Sequence, residues 1–301
     1  MDREPRLRLL SSMDLHGVLH DPEFLEFLFQ RLEDLLLGAA PRRGTLLRWP
    51  ARTVWPGPGT RGLWTLRARL AHAVRAAGSR GEVRPDEFWI STEDGAMTAV
   101  VGPRVVRSWS AAVPSGLAAR YLAPAAARSL GLLGTGEHAR ATLRVLTQAL
   151  PSISVVRVCA ADLEEARAFA GAAARLADVP VVLAEVTPRA VVPRSDVVAV
   201  VDDVPLDPAW LVPGSLLISH RPLPDAVVSV CRRVGVASHG SRAHGRDGHA
   251  TVAGIARGEE RARDGRAEVA LYQFSEIDGW DTVLREAVVS WSHRRGVGRP
   301  L

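Results

Sequence analysis

The chain of 301 residues predicts an α/β protein: a doubly wound, largely parallel sheet joined to a smaller α+β domain. Three observations carry this. Residues 129–162 read as strand, Gly-rich turn, helix, strand; apolar runs at 179–185, 196–201 and 215–219 then follow a helical stretch at 164–177. Residues 45–106 instead hold short β-like pieces broken by turn signals. Strands alternating with helices argue for parallel pairing, and clustered short strands for a separate mixed layer.

In chain order, Asp21-Pro22-Glu23 opens a helix whose apolar positions Phe24, Leu25, Phe27, Leu28, Leu32, Leu35 and Leu36 share one broad face, with Gly38 as its stop. Asp21 is suited to cap it and Pro22 to its first position. Strand candidates follow at 46–49, 52–55, 62–66, 88–91 and 97–101, with a short helix at 68–77, and together they suggest an antiparallel sheet. The small residues from Val105 to Leu122 suit a closely packed helix. Beyond the central unit come strand candidates at 215–219 and 269–274 and a helix from Trp280 to Trp291, which would rejoin the first domain. The resulting division is residues 1–111 with 275–301, and residues 112–274.

The central turn reads Gly134-Thr135-Gly136-Glu137-His138-Ala139. Gly134 permits a tight turn, Gly136 lets backbone approach a pyrophosphate, and Ala139 lets helix pack on strand, while the unpaired N–H groups at a helix start favour anionic oxygens. Such a turn, after a strand and opening a helix, marks a Rossmann-like dinucleotide-binding domain. At the end of the second strand stand Ala160-Ala161-Asp162. No arginine is there to pair a 2′-phosphate, and only Asp162 would reach a ribose hydroxyl, which favours NAD and leaves NADP open.

Composition narrows the chemistry further. All 38 basic residues are arginine, which excludes a lysine Schiff base or lysine general base. The formal charge of +5 is spread along the chain without an aromatic-interleaved basic run, so anionic small molecules are better partners than nucleic acid. No apolar run is long enough for a membrane span and no signal-peptide core is evident, so a soluble, cytoplasmic protein is expected. The two cysteines, Cys159 and Cys231, fall in an expected strand and an expected helix as buried thiols. His239, His244 and His249 lie in a Gly-rich loop at 237–250 whose spacing fits no compact metal-ligand pattern, so no metal is assigned. Arg107 lies near the expected domain junction, where a guanidinium fork would hold a carboxylate by two hydrogen bonds.

The order of these features resembles the ornithine cyclodeaminase and mu-crystallin family. The resemblance rests on Glu93-Asp94-Gly95 with Ala99, on the run from Arg107-Ser108-Trp109-Ser110-Ala111-Ala112 through Leu132-Leu133-Gly134-Thr135-Gly136-Glu137-His138-Ala139, and on Ser195-Asp196-Val197-Val198 and Pro213-Gly214. It implies a substrate and dimerisation domain beside the dinucleotide domain, a homodimer, and a nicotinamide cofactor acting on small amino or imino acids. Arg107 would hold the substrate carboxylate, and Gly134 to Ala139 the pyrophosphate.

Departures from the family accompany the matches. The family's first-domain lysine has no counterpart, and the nearby text offers only Arg67. After Pro213-Gly214, where relatives carry a glycine-rich segment with an aspartate that assists proton transfer, the chain reads Ile218-Ser219-His220-Arg221-Pro222-Leu223-Pro224-Asp225. Asp225 is a displaced match, and His220 is the alternative acid or base. Val283 stands where relatives usually carry an aspartate. Two function classes therefore fit: an oxidoreductase moving hydride to or from the α-carbon of an amino acid or its imine, and a non-catalytic family member that binds without turnover. A different reaction on the same scaffold is the third.

Overall fold

The computed structural model describes residues 7–38, 45–48, 88–93, 96–101, 104–235, 250–275, 277 and 279–300. In chain order the elements begin with β1 (Leu7–Leu10), α1 (Ser12–His20), α2 (Pro22–Leu36), β2 (Thr45–Arg48), β3 (Phe88–Glu93), β4 (Ala96–Val101), α3 (Arg104–Leu122), β5 (Ser129–Leu133) and α4 (Gly136–Ala149). They continue with β6 (Val155–Cys159), α5 (Leu163–Ala177), β7 (Val181–Glu185), α6 (Pro188–Val191), β8 (Val197–Val200), β9 (Leu216–Ser219) and α7 (Asp225–Val228). The last are β10 (Cys231–Gly235), β11 (Ala250–Thr251), α8 (Val252–Ala256), β12 (Val269–Gln273), α9 (Trp280–Arg294) and β13 (Arg299–Pro300). Two compact units result: Met1–Leu19, Arg42–Val106 and Arg285–Leu301 form one, and His20–Pro41 with Arg107–Leu284 the other.

The first unit holds a sheet of order β13-β1-β4-β3-β2. β2, β3 and β4 pair antiparallel as expected, but β1 pairs parallel with β4, so the sheet is mixed. The strand pieces expected at 52–55 and 62–66, the helix at 68–77 and Arg67 lie outside the described residues, as does most of the 237–250 loop.

The second unit is a parallel eight-stranded sheet of order β11-β10-β12-β9-β8-β5-β6-β7. Its inner strands β5, β8, β9 and β12 are nearly continuous buried runs, as expected of strands covered by helices on both faces. β8 and β9 are buried along their whole lengths, while Val181 and Leu183 on edge strand β7 stay exposed. The chain runs from β5 outward through β6 to β7, then crosses back to β8 and continues through β9, so its direction reverses between β5 and β8. In doubly wound sheets ligands bind beyond the strand ends at that reversal. The opposite end is clasped by Asp196, whose carboxylate accepts the N–H groups of Arg128 and Ser129 and the Ser129 hydroxyl at 2.9, 3.0 and 2.7 Å. The Ser195-Asp196 text is thus a structural tie, and Ser195 adds a 2.8 Å bond to the Val191 carbonyl.

Helix α2 is capped as read: the Asp21 side chain accepts the Glu23 N–H at 2.9 Å, and Phe24, Leu25, Leu28, Phe29, Leu32 and Leu36 are buried. It lies in the second unit although the sequence grouped it with residues 1–111, because its apolar face is met by α3 and α4. A Cβ on Gly116 of α3 would run into Val145 of α4 and Phe29 of α2. Glu26 takes hydrogen bonds from Arg120 at 2.5 Å and Gln148 at 3.0 Å. One further correction concerns Cys231, which opens strand β10 rather than sitting in a helix. Both cysteines are free, and burial, aided at Cys159 by Glu185, pushes each thiol up to about 11.

Candidate functional site

The C-terminal ends of the second unit's strands are laced together by backbone bonds. Gly134 N–H reaches the Cys159 carbonyl at 2.9 Å, Val201 and Asp202 reach that of Leu133 at 3.0 and 3.2 Å, His220 that of Val200 at 2.9 Å, and Phe274 that of Ser219 at 2.8 Å. These bonds set the Gly-rich turn, Asp202, His220 and Phe274 along one crest.

The turn has the conformation its sequence demanded. Gly134 and Gly136 have φ of +122° and +80°, a region side chains disfavour. At Gly134 a Cβ would also sit 2.5 Å from the Asp202 carboxylate and 2.7 Å from Val201, whereas at Gly136 it would meet no atom within 4 Å. Thr135 is the N-cap of α4 and makes no side-chain capping bond, unlike Asp21 on α2 or Asp162 on α5. The N–H groups of the first turn, Gly136 to His138, are therefore left for an outside acceptor. Glu137 and His138 are exposed and Ala139 is fully buried, as the packing argument required. These features fit the pyrophosphate of a dinucleotide. Two alanine variants separate them: Gly134→Ala is expected to cost about 2 kcal/mol in denaturant unfolding, from strain plus collision. Gly136→Ala is expected to cost about half that, while weakening nucleotide binding in fluorescence titration.

Asp162 is committed locally, its carboxylate accepting the Glu164 N–H at 2.8 Å. Closer to the end of β6 is Glu185, paired with Cys159 across the strands. Arg107 projects from the first turns of α3, exposed between buried Val106 and Ser108. Asp225 is exposed at the start of α7, a helix that buries Val227 in the cluster containing Leu217 and Leu271. His220 is bonded instead to Ser115 of α3, and no hydrogen bond between the two proton-transfer candidates is seen among the described residues.

His220 is held in a specific state. Its Nε2 lies 2.8 Å from Ser115 Oγ, and the Ser115 hydroxyl donates to the Ala111 carbonyl at 2.9 Å. Since that proton is spent, Nε2–H is assigned as the donor to Ser115, and Nδ1 is the bare acceptor. Nδ1 is buried with no partner among the described residues. Burial, helped by nearby His138, pulls the imidazole down to about 4, so it is neutral at physiological pH. It is thus no general acid there.

Three residues of the site escaped the sequence reading. The carboxylate of Asp202 accepts the Thr135 N–H at 3.0 Å, Glu165 accepts the Thr135 hydroxyl, and Ser115 fixes His220. Asp202 carried a usable signal, since it follows the strand at the reversal point. Glu165 and Ser115 carried none.

Fold and crest together define a Rossmann-like α/β protein with an uncapped, Gly-lined helix start at its switch point. The resemblance read from the Arg107 to Ala139 run is borne out: the sequence model of the ornithine cyclodeaminase/mu-crystallin family matches residues 80–219. No curated protein sequence matches the chain. Solved structures share the fold along nearly its whole length. The Δ1-pyrroline-2-carboxylate reductase of Thermococcus litoralis, in complex with NADH and L-proline, is 16% identical with a TM-score of 0.69, covering 98% of this chain and 100% of that one. A lysine cyclodeaminase is 17% identical with a TM-score of 0.66 and coverages of 98% and 95%. The iminosuccinate reductase of Paracoccus denitrificans, in complex with NAD+, is 16% identical with a TM-score of 0.65 and coverages of 98% and 99%.

Proposed function

We propose that the chain is a nicotinamide-dependent oxidoreductase acting on a small amino acid or its imine. The observation that carries this is the uncapped start of α4 behind an unobstructed Gly136, at the sheet's reversal point. The match of residues 80–219 supports it, as do structural relatives solved with NADH and proline or with NAD+.

The nicotinamide ring, when bound, supplies or takes up the hydride. The protein's own part is placement. The N–H groups of Gly136 to His138 hold the pyrophosphate, and Arg107 holds the substrate carboxylate. Asp225, exposed and ionisable, is the candidate for moving the amine proton. His220, neutral and enclosed, contributes only as an acceptor. NAD is the favoured cofactor. A 2′-phosphate near the end of β6 would approach Glu185 and Asp162 with no arginine among residues 160–162 to offset them. The family resemblance further implies a cytoplasmic homodimer, to be checked by light scattering. No helix among the described residues is long and apolar enough to cross a membrane.

Fluorescence titration with NADH and NADPH, followed by turnover assays on a panel of amino and keto acids with ammonia, tests the reading. NADH is expected to bind at least tenfold more tightly than NADPH, and one acid in the panel to turn over. Tighter NADPH binding would reject the cofactor choice. Binding without turnover would favour the second reading, a non-catalytic binding member, for which the two carboxylates already on Thr135 and the missing lysines speak.

A further inference from the structure

We propose that Asp202 is a built-in anion that competes with the cofactor for the Gly-rich turn and so sets the affinity and salt dependence of dinucleotide binding. The inference rests on the reading that this turn takes a dinucleotide. Thr135 sits between the two glycines and has two donors to offer. Its main-chain N–H goes to Asp202 Oδ2 at 3.0 Å, and its hydroxyl goes to the Glu165 carboxylate. Both donors are thus engaged by carboxylates of the same chain, the kind of group a phosphate resembles in charge and in accepting geometry.

The position of Asp202 is imposed by the sheet rather than chosen by its side chain. Its N–H is tied to the Leu133 carbonyl at 3.2 Å, immediately before the turn. The carboxylate lies so close to Gly134 that a Cβ there would be 2.5 Å from Oδ2. A fixed negative charge consequently borders the site expected to receive two further negative charges. Glu137, exposed in the first turn of α4, adds a third carboxylate nearby, with exposed His138 beside it. Against this, the N–H groups of the α4 start remain attractive to an anion. Binding is then a contest between a helix start that favours phosphate and a carboxylate that already accepts from the turn.

Asp202→Asn separates charge from geometry, because the amide oxygen still accepts the Thr135 N–H while the charge is gone. Removing one charge at this range is worth about tenfold in affinity at low salt. The gain should shrink as salt rises, since both the charge and the pyrophosphate are exposed to screening. Asp203→Asn is the matched control: it removes the same charge from an exposed neighbour for which no bond to the turn is seen among the described residues.

The experiment is fluorescence titration with NADH of the full chain and the Asp202→Asn, Glu165→Gln and Asp203→Asn variants, from low to near-molar salt. Melting temperatures without ligand confirm that each variant is folded. The expected result is about tenfold tighter NADH binding by Asp202→Asn at low salt, a smaller gain for Glu165→Gln, little change for Asp203→Asn, and convergence of all four at high salt. NADH binding by the unaltered protein with an equal or weaker affinity for Asp202→Asn overturns this inference alone. So does an equal gain in Asp203→Asn, which would make the effect one of net charge. Absence of NADH binding by every folded variant overturns the dinucleotide reading itself, and this inference with it.

Discussion

Arg107→Gln is expected to lower kcat/KM by about a hundredfold, mostly by raising KM, while leaving NADH affinity unchanged. Arg107 lies in the opening turns of α3, and the residues on either side, Val106 and Ser108, are 2% and 3% exposed, so the helix there is pinned while the guanidinium stands in solvent. A carboxylate held by that fork gains two charge-assisted hydrogen bonds, each worth about 1.5–3 kcal/mol. Losing one bond and the charge removes about 3 kcal/mol, or roughly two powers of ten in kcat/KM. An anchor remote from the reacting bond is used in ground and transition states alike, which is why KM should carry most of the loss. Arg107→Lys should recover only part, because an ammonium restores charge without the fork. Steady-state kinetics on whichever acid the turnover panel identifies makes the comparison. Unchanged kcat/KM in Arg107→Gln would remove this residue from the substrate site.

The parallel sheet was legible because its inner strands are buried on both faces and need apolar text. Residues 197–200 and 216–219 are buried along their whole lengths and could hardly be anything else next to a helical pattern. Helix α2 announced its own cap, since Asp21-Pro22 is a local signal that needs no distant partner. Its partner was not readable: an amphipathic face states that it will be covered, not by what, and α3 and α4 cover it through a contact that requires Gly116. Strand β10 was missed because Cys231-Arg232-Arg233-Val234-Gly235 has only one fully buried residue and reads as polar. The Gly-rich turn was found by its spacing. The carboxylate pressed against it was not, since Thr135 and Asp202 are 67 residues apart and only the strand order places them together. Asp162 illustrates the same limit from the other side: an acid at a plausible interval along the chain is engaged in capping α5.

Acidification should unmask His220 before it affects the carboxylates. In the unfolded chain its imidazole has an ordinary value near 6.5; in the folded protein burial, with His138 nearby, lowers it to about 4. The unfolded state therefore takes up the proton first. Its contribution to stability is complete above pH 6.5 and is lost as pH falls through the folded value. In all it is worth about 3 kcal/mol, of which about 2 should be gone by pH 5. The bonds that keep the ring neutral explain why it cannot simply turn away: Nε2–H is held by Ser115, whose hydroxyl is itself tied to Ala111, and Phe274 packs 6.1 Å from the ring centre. Asp196 and Glu26 are held below their ordinary carboxylate values: burial acts against this, but the hydrogen bonds of Asp196 to Arg128 and Ser129, and of Glu26 to Arg120 and Gln148, prevail. Their losses fall at lower pH, outside this window. Denaturant unfolding between pH 7.5 and 4.5 reads the effect directly. His220→Gln, which keeps a donor for Ser115 and cannot take up a proton, should flatten that part of the profile even if it is less stable at pH 7.5. An identical slope in the variant would mean that His220 titrates normally in the folded protein, and that its ring is open to solvent rather than locked against α3.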